Sequence, residues 1–156
     1  MIDGVLGVEQ FIVNVEGAVH KDGHWLIIKR SEKEEHAGGL LSLVGGKVER
    51  EGNMRDILER TVKREVLEEV GIYVKNRMTY VHSTSFVVDE KYHVVDIVFL
   101  CEHESGVVYA KSEDEVDGVW WMTFEEVAIH PDAPDYLIES LRRAEETLRE
   151  DVKTKL

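Results

Sequence analysis

The sequence predicts an α/β protein in which a mixed β-sheet lies between helices. Three observations carry that prediction. A strand–turn–strand pattern occupies residues 11–30. A helical stripe follows, from about Asp56 to Val70. Several further β-patterned runs then lead into a C-terminal amphipathic helix. Elements in that order bury their apolar faces best as layers around one sheet.

The first strand is "FIVNVEGAV", Phe11 to Val19, apolar and β-branched. "HKDG" supplies a turn, and "HWLIIKR", His24 to Arg30, returns as the second strand. "SEKEEHAGG" reads as a polar loop, and Gly45-Gly46 open the segment ahead of the helix. Leu58, Val62, Val66 and Val70 recur every four residues and make one apolar stripe. Gly71 stands where a helix ends most easily. "MTYVHSTSFVV" and "YHVVDIVFLCE" read as strands flanking the turn "DEKY", and "GVVYA" as a further short strand. "VDGVWWM" is another strand, and Thr123 with Glu126 forms a capping-box pattern that opens a helix. "APDYLIESLRRAEETLRE" is the final helix, about residues 134–150, with a frayed tail.

The chain has 156 residues, one domain's length, and reads as a single domain over 1–156. Apolar residues make up 43% and charged residues 33%, the balance of a soluble globular chain. Acidic residues outnumber basic ones 32 to 19, for a net charge of −13. Like-sign repulsion argues against nucleic acid and anionic membranes as partners. Cys101 is the single cysteine, so no internal disulfide forms, and a reducing, cytoplasmic setting is expected. "MIDGVLGVEQ" lacks the basic start and apolar block of a signal peptide. Self-association as a homodimer is left open.

The informative stretch is "GGKVEREGNMRDILERTVKREVLEEVGI", Gly45 to Ile72. Glu65, Glu68 and Glu69 are spaced i, i+3, i+4 and share one helix face at the edge of the apolar stripe. Each like-charge pair costs about 0.2–0.5 kcal/mol. Arg64 offsets part of this through Glu68, its i+4 neighbour, and cannot neutralise all three. A hard divalent cation can, because Mg²⁺ takes carboxylate, phosphate and water oxygens. The double glycine lets backbone approach a ligand closely, so a glycine carbonyl could complete the shell. The competing reading is a solvated Glu-rich face, which is common.

With Arg64-Glu65-Val66-x-Glu68-Glu69-x-Gly71-Ile72 preceded by Gly45-Gly46-Lys47-Val48-Glu49, the chain resembles the Nudix hydrolases, the MutT-like pyrophosphohydrolases. The family pattern is G-x5-E-x7-R-E-U-x-E-E-x-G-U, with U aliphatic, and its C-terminal half is matched at every fixed position. The N-terminal half is four residues longer than the pattern, within "REGNMRD". The acid that fills the first glutamate position is left open among Glu49, Glu51 and Asp56. Gly52 and Asn53 suit a turn, so the extra residues are expected to lengthen the loop. Asp56 is then expected to cap the helix, with Glu59 completing a variant capping box. Many relatives carry W-x-x-P-G-G here, whereas Leu41 and Val44 stand at those places.

The resemblance implies an α/β/α sandwich with a loop-helix-loop catalytic motif. It also implies Mg²⁺- or Mn²⁺-dependent hydrolysis of a nucleoside diphosphate linked to another group. Residue by residue it implies metal binding by Glu65, Glu68, Glu69 and the Gly45 carbonyl, catalysis by Glu65 and Glu68, and orientation of the glutamates by Arg64. Arg30 and Lys29 end the second strand near the motif in this fold, and Arg30 is the candidate for phosphate. Trp120 and Trp121 alternate across their strand, so one is expected inside and one outside; Trp121 is the candidate to stack on a base. Glu113 and Glu115 lie in a loop that some relatives use for a general base, although a solvated acidic loop explains them too. The histidines lack metal-ligand spacing, and Cys101 reads as a buried apolar group. Three functions compete: a pyrophosphohydrolase, a non-catalytic nucleotide-binding module, and an isopentenyl diphosphate isomerase, for which Cys101 is in the wrong setting. The substrate within the nucleotide class stays open among triphosphates, diphosphates and nucleotide sugars.

Overall fold

The computed structural model describes residue 7 and residues 9–155. Most of the segment read as free of a leader, residues 1–6 and 8, lies outside the described residues. Strands β1 (Ile12–Lys21) and β2 (His24–Arg30) form the expected hairpin, with Lys21 opposite His24. Asp22 and Gly23 both take positive φ, 49° and 77°. A two-residue turn needs that to match the strand twist. The remaining elements are β3 (Leu41–Ser42), β4 (Val44–Lys47), α1 (Ile57–Val70), β5 (Tyr73–Val74), β6 (Thr79–Val88), β7 (Tyr92–Ser105), β8 (Val116–Met122), α2 (Phe124–Ala128) and α3 (Asp135–Lys155). The central order is β3-β2-β1-β7-β5, with β4 on β1, β6 on β7 and β8 on β2. β1 and β7 run parallel from Ile12/Val94 to His20/Glu102, and the other pairings are antiparallel, so the sheet is mixed as expected.

Period-two alternation splits the strands between two cores. Val15, Val19, Leu26 and Ile28 face α1, where Val62, Val66 and Val70 have no exposed surface. Ala18, Trp25 and Ile27 face the other side, against Val127 of α2 and Leu137, Leu141 and Ala144 of α3. The result is the α/β/α sandwich. Gly17 lets α1 sit close to the sheet, since a Cβ there would stand 2.9 Å from Val62 Cγ1. No helix among the described residues is long and apolar enough to cross a membrane.

Several local expectations hold, and others are corrected. Helix α1 ends at Val70, and Gly71 follows in the left-handed region at φ 71°. Thr123 Oγ1 accepts from the Glu126 amide at 3.2 Å and Glu126 Oε1 from the Thr123 amide at 2.9 Å, which completes the capping box. The double glycine is not loop: Gly45 and Gly46 lie in β4, opposite Glu16 and Val15. "GVVYA" is not a strand, because its backbone is used by the end of α1. Tyr109 N–H donates to the Val70 carbonyl at 3.2 Å and Lys111 N–H to that of Glu69 at 3.0 Å. Helix α3 runs to Lys155 rather than fraying near 150, and Asp151 is held by Arg77 at 2.6 Å and 3.3 Å.

The extra residues do form a loop, and α1 starts at Ile57, directly after Asp56. The expected side-chain cap is absent. Asp56 adopts φ 55°, ψ 38° and its side chain makes no capping bond; its carbonyl accepts the Arg60 amide at 2.9 Å. A left-handed non-glycine residue carries a steric penalty, smaller for Asp than for most. Asp56→Gly is therefore expected to raise stability by about 0.5–1 kcal/mol in chemical denaturation. A loss of that size would show that the carboxylate is a cap after all.

Candidate active site

The i, i+3, i+4 spacing delivers three different environments. Glu68 points to solvent, Glu65 is half-buried, and Glu69 is buried, with 7% exposure. Arg64 binds the group together. Its Nη2 donates to the Lys47 carbonyl at 3.0 Å and to Glu65 Oε1 at 3.1 Å. Nη1 pairs with Glu49 at 3.3 Å, and Nε stands 4.0 Å from Glu68. Arg64 thus ties α1 to the end of β4 and to the following loop. Of the three acids left open for the first motif position, Glu49 is the one brought to Arg64. Glu51 pairs with Arg60 at 3.1 Å, and Asp56 faces solvent.

The glycines explain how close helix and strand come. A Cβ on Gly46 would stand 2.4 Å from Glu65 Cδ, and one on Gly45 2.2 Å from the Val15 carbonyl oxygen. Only hydrogen fits at either place. The Glu65 carboxylate therefore packs directly on the β4 backbone.

Electrostatic stress concentrates on Glu69. Burial, the Glu65 charge and a hydrogen bond with Glu115 push its pKa from 4.5 to about 9, against a partial lowering by Arg30. A carboxyl–carboxyl hydrogen bond requires a shared proton. Burial also raises Glu65, while the bond and charge of Arg64 oppose that rise. Glu69 Oε2 is buried with no hydrogen-bond partner, and so is Arg64 Nε. An unsatisfied buried carboxylate oxygen is costly unless something meets it. Hard oxygen donors, a surplus of negative charge and one orphaned oxygen fit a divalent cation. Among the described residues no three carboxylate, imidazole or thiol groups already converge at metal-binding spacing. Glu65 turns instead to Arg64, whose Nη2 donates to it.

Arg30 reaches this site from the end of β2. Its Nε donates to the His36 carbonyl at 3.2 Å, and its charge acts on both Glu69 and Glu16. Glu16 belongs to a polar cluster that sequence reasoning missed. Asn14 Nδ2 donates to Asp96 Oδ1 at 2.7 Å, and Glu16 shares a hydrogen bond with Asp96. Burial first, then Asp96, holds the Glu16 carboxyl well above the ordinary range. Glu16, Ser42, Leu43 and Tyr136 line a small pocket beside it. The available signal was a Glu, an Asn and an Asp inside otherwise apolar strands. Lys29 instead meets Asp132 at 3.9 Å. Trp121 is half-buried against His103 and within 5.8 Å of Lys21, so it is the inward indole, and Trp120, at 46% exposure, is the outward one. Cys101 is buried, and desolvation raises its thiol to about 12.

Known proteins share this fold. The family model for the NUDIX domain matches residues 12–142. The chain is 32% identical over 114 residues to an NAD-capped RNA hydrolase NudC of Photobacterium profundum, covering 73% of this chain and 39% of that protein. It therefore spans about two-fifths of that curated relative's length. The solved MutT NUDIX hydrolase of Burkholderia pseudomallei superposes with a TM-score of 0.73 at 27% identity, covering 86% of this chain and 98% of that one. The NUDIX domain of Shewanella oneidensis NrtR, solved with ADP ribose, shares the fold at TM-score 0.67 and 20% identity, covering 88% and 90%. With the motif on α1, its glycine-lined contact to β4 and the sandwich around them all in place, the chain belongs to the NUDIX domain family, the Nudix hydrolases.

Proposed function

We propose that this chain is a metal-dependent pyrophosphohydrolase. It cleaves the phosphoric anhydride of a nucleoside diphosphate linked to another moiety. The observation that carries this reading is the orphaned, buried Oε2 of Glu69 beside Glu65. A binding module that never ionised Glu69 would have no use for an unsatisfied acid in its core. Glu65, Glu68, Glu69 and the Gly45 carbonyl would hold Mg²⁺, or Mn²⁺ in its place. Bound there, the cation neutralises phosphate charge and lowers the pKa of a water.

The protein's own groups divide the remaining work. Arg64 fixes the Glu65 carboxylate by the 3.1 Å bond and anchors it to β4 through the Lys47 carbonyl. Glu65 and Glu68 are the catalytic carboxylates. Arg30, whose charge acts on Glu69, is the proposed phosphate contact. Trp121 packs against His103 and lies opposite Leu26, four strand positions from Arg30. The relatives' printed ligands, NAD-capped RNA and ADP ribose, support a nucleotide-derived substrate. The −13 charge supports a small diffusible substrate over a nucleic-acid polymer or a membrane, and the lone cysteine supports a cytoplasmic setting.

Turnover of a nucleotide panel is expected to require Mg²⁺ or Mn²⁺ and to stop in excess chelator. Phosphate or nucleotide release is the readout. Robust release in chelator would overturn the reading. Saturable binding without release of any product would replace it with the non-catalytic module.

A further inference from the structure

The loop between β2 and β3, residues 31–40, is fixed at both feet. At one, Ser31 N–H donates to the Glu115 carbonyl at 2.9 Å and Glu32 N–H to Asp117 Oδ2 at 3.2 Å. At the other, Leu41 N–H donates to the Asp132 carbonyl at 2.9 Å. Between the feet the loop is wound on itself. Gly39 N–H donates to the Arg30 carbonyl at 3.0 Å, Arg30 N–H to that of Leu40 at 2.9 Å and Glu34 N–H to that of Ser31 at 3.0 Å. Gly38 has no room for a side chain, since a Cβ would stand 2.6 Å from the Glu34 carbonyl oxygen. A loop closed by its own contacts moves as a unit about its feet.

Arg30 belongs to that unit. Its Nε donates to the His36 carbonyl at 3.2 Å, and its Nη2 stands 3.8 Å from Glu34. Where the loop tip goes, the guanidinium goes. Electrostatics does not aim Arg30 at one place, because its charge acts on Glu69 and on Glu16 beside Asp96. The tip is held by a ring contact. His36 stacks on Phe86 of β6, with the planes within 7° and the centroids 5.7 Å apart. β1 and β7 lie between β2 and β6 in the sheet, so this contact spans two strands. Both rings are exposed, Phe86 at 39%, and neither belongs to the two cores. Stacked rings contribute enough to shift a local equilibrium about 2–10-fold.

We propose that the His36–Phe86 stack is a latch that positions Arg30 for the phosphates of the substrate, a role that rests on the assignment of Arg30 under the proposed function. His36 and Phe86 are positioning residues: they hold the loop, and Arg30 meets the ligand. With the latch closed, the Nε bond to His36 leaves the terminal Nη groups to form the fork that suits a phosphate. With it open, the tip and the guanidinium move away together. The competent fraction falls, and apparent affinity falls in proportion.

The test is a double-mutant cycle, read by calorimetric binding of inorganic pyrophosphate with Mg²⁺ and by turnover of a nucleotide panel. Phe86→Leu is expected to raise the pyrophosphate Kd and the nucleotide KM about 2–10-fold. It should change kcat by less than about 2-fold, because a contact kept throughout the reaction acts on KM. His36→Leu should do the same from the other side of the stack, and Phe86→Tyr, which keeps the ring, should retain wild-type values. Thermal unfolding of Phe86→Leu should match the wild type, since the ring is exposed. Arg30→Ala should raise both constants, and adding Phe86→Leu to it should change neither further. That last result separates a latch from damage to β6, which would weaken binding with or without Arg30. Pyrophosphate binding needs no turnover, so an intact cycle with no product released from any nucleotide defeats the hydrolase reading and supports the latch. Additive effects of the two substitutions, wild-type affinity in Phe86→Leu, or a Phe86→Tyr variant as weak as Phe86→Leu overturns the latch. So does a wild type that binds no pyrophosphate.

Discussion

Glu69→Gln is expected to lower turnover at least about 100-fold, or about 2.7 kcal/mol of transition-state stabilisation, while making the metal-free protein more stable. The two effects share one cause. Glu69 is a buried acid whose pKa is raised to about 9, and its ordinary value is 4.5. Below the ordinary value both folded and unfolded chains hold the proton. Between the two values the unfolded chain ionises and the folded one does not, so the native state binds more protons and stability falls as pH rises. Above about 9 the loss is complete. Glutamine does not titrate, so the variant escapes this loss, and its amide can donate to Glu115. At pH 8 the advantage is at most about 5 kcal/mol, less as the site relaxes around an ionised Glu69. Denaturant unfolding in chelator at pH 5 and pH 8 measures it, beside turnover at saturating Mg²⁺. An equal pH slope in both proteins, or near-normal turnover in the variant, would remove Glu69 from the metal set.

Gly46→Ala is expected to abolish most activity at little cost in stability, whereas Gly45→Ala is expected to cost stability. At Gly46 the new methyl would meet Glu65 Cδ at 2.4 Å and its two oxygens at 2.5 and 2.8 Å. Those atoms are the far end of a flexible side chain, so they move. Their displacement breaks the Arg64–Glu65 contact and misplaces a catalytic carboxylate, for a loss of at least about 100-fold in turnover. Unfolding free energy should change by less than about 1 kcal/mol. At Gly45 the obstacle is the Val15 carbonyl oxygen at 2.2 Å and Glu16 Cα at 2.8 Å. Backbone in a paired strand cannot yield, so more than about 2 kcal/mol of stability should be lost. Paired denaturation and kinetic measurements separate the two. If Gly46→Ala unfolds the protein and keeps its specific activity, the Glu65–β4 contact has only a structural role.

The helix carrying the motif was legible to the residue at its C-terminal end, because periodic valines and a terminal glycine are local signals. So was β8, and so were both halves of the Thr123 capping box. The short strands β3, β4 and β5 were not. Gly45 and Gly46 have the local character of loop, and only the partner strand β1, about thirty residues upstream, makes them a ladder. "GVVYA" failed in the opposite direction: its composition is that of a strand, yet the carbonyls at the end of α1 claim its amides. Asp56 has capping chemistry, but the left-handed turn that precedes α1 points its side chain away from the helix.

Sequence alone determined which residues make up the candidate site. The spacing of three carboxylates and an arginine places them on one helix face, since i, i+3, i+4 geometry is a property of any α-helix. Tertiary structure decided how differently those three carboxylates behave. Glu68 remains in water, Glu65 is pressed on β4, and Glu69 is carried into the core beside Glu115. It also brought Glu49, rather than Glu51 or Asp56, to Arg64, and assembled Asn14, Glu16 and Asp96 from strands about eighty residues apart. Desolvation and through-space charge depend on what packs against a group, and residues distant in the chain supply that packing.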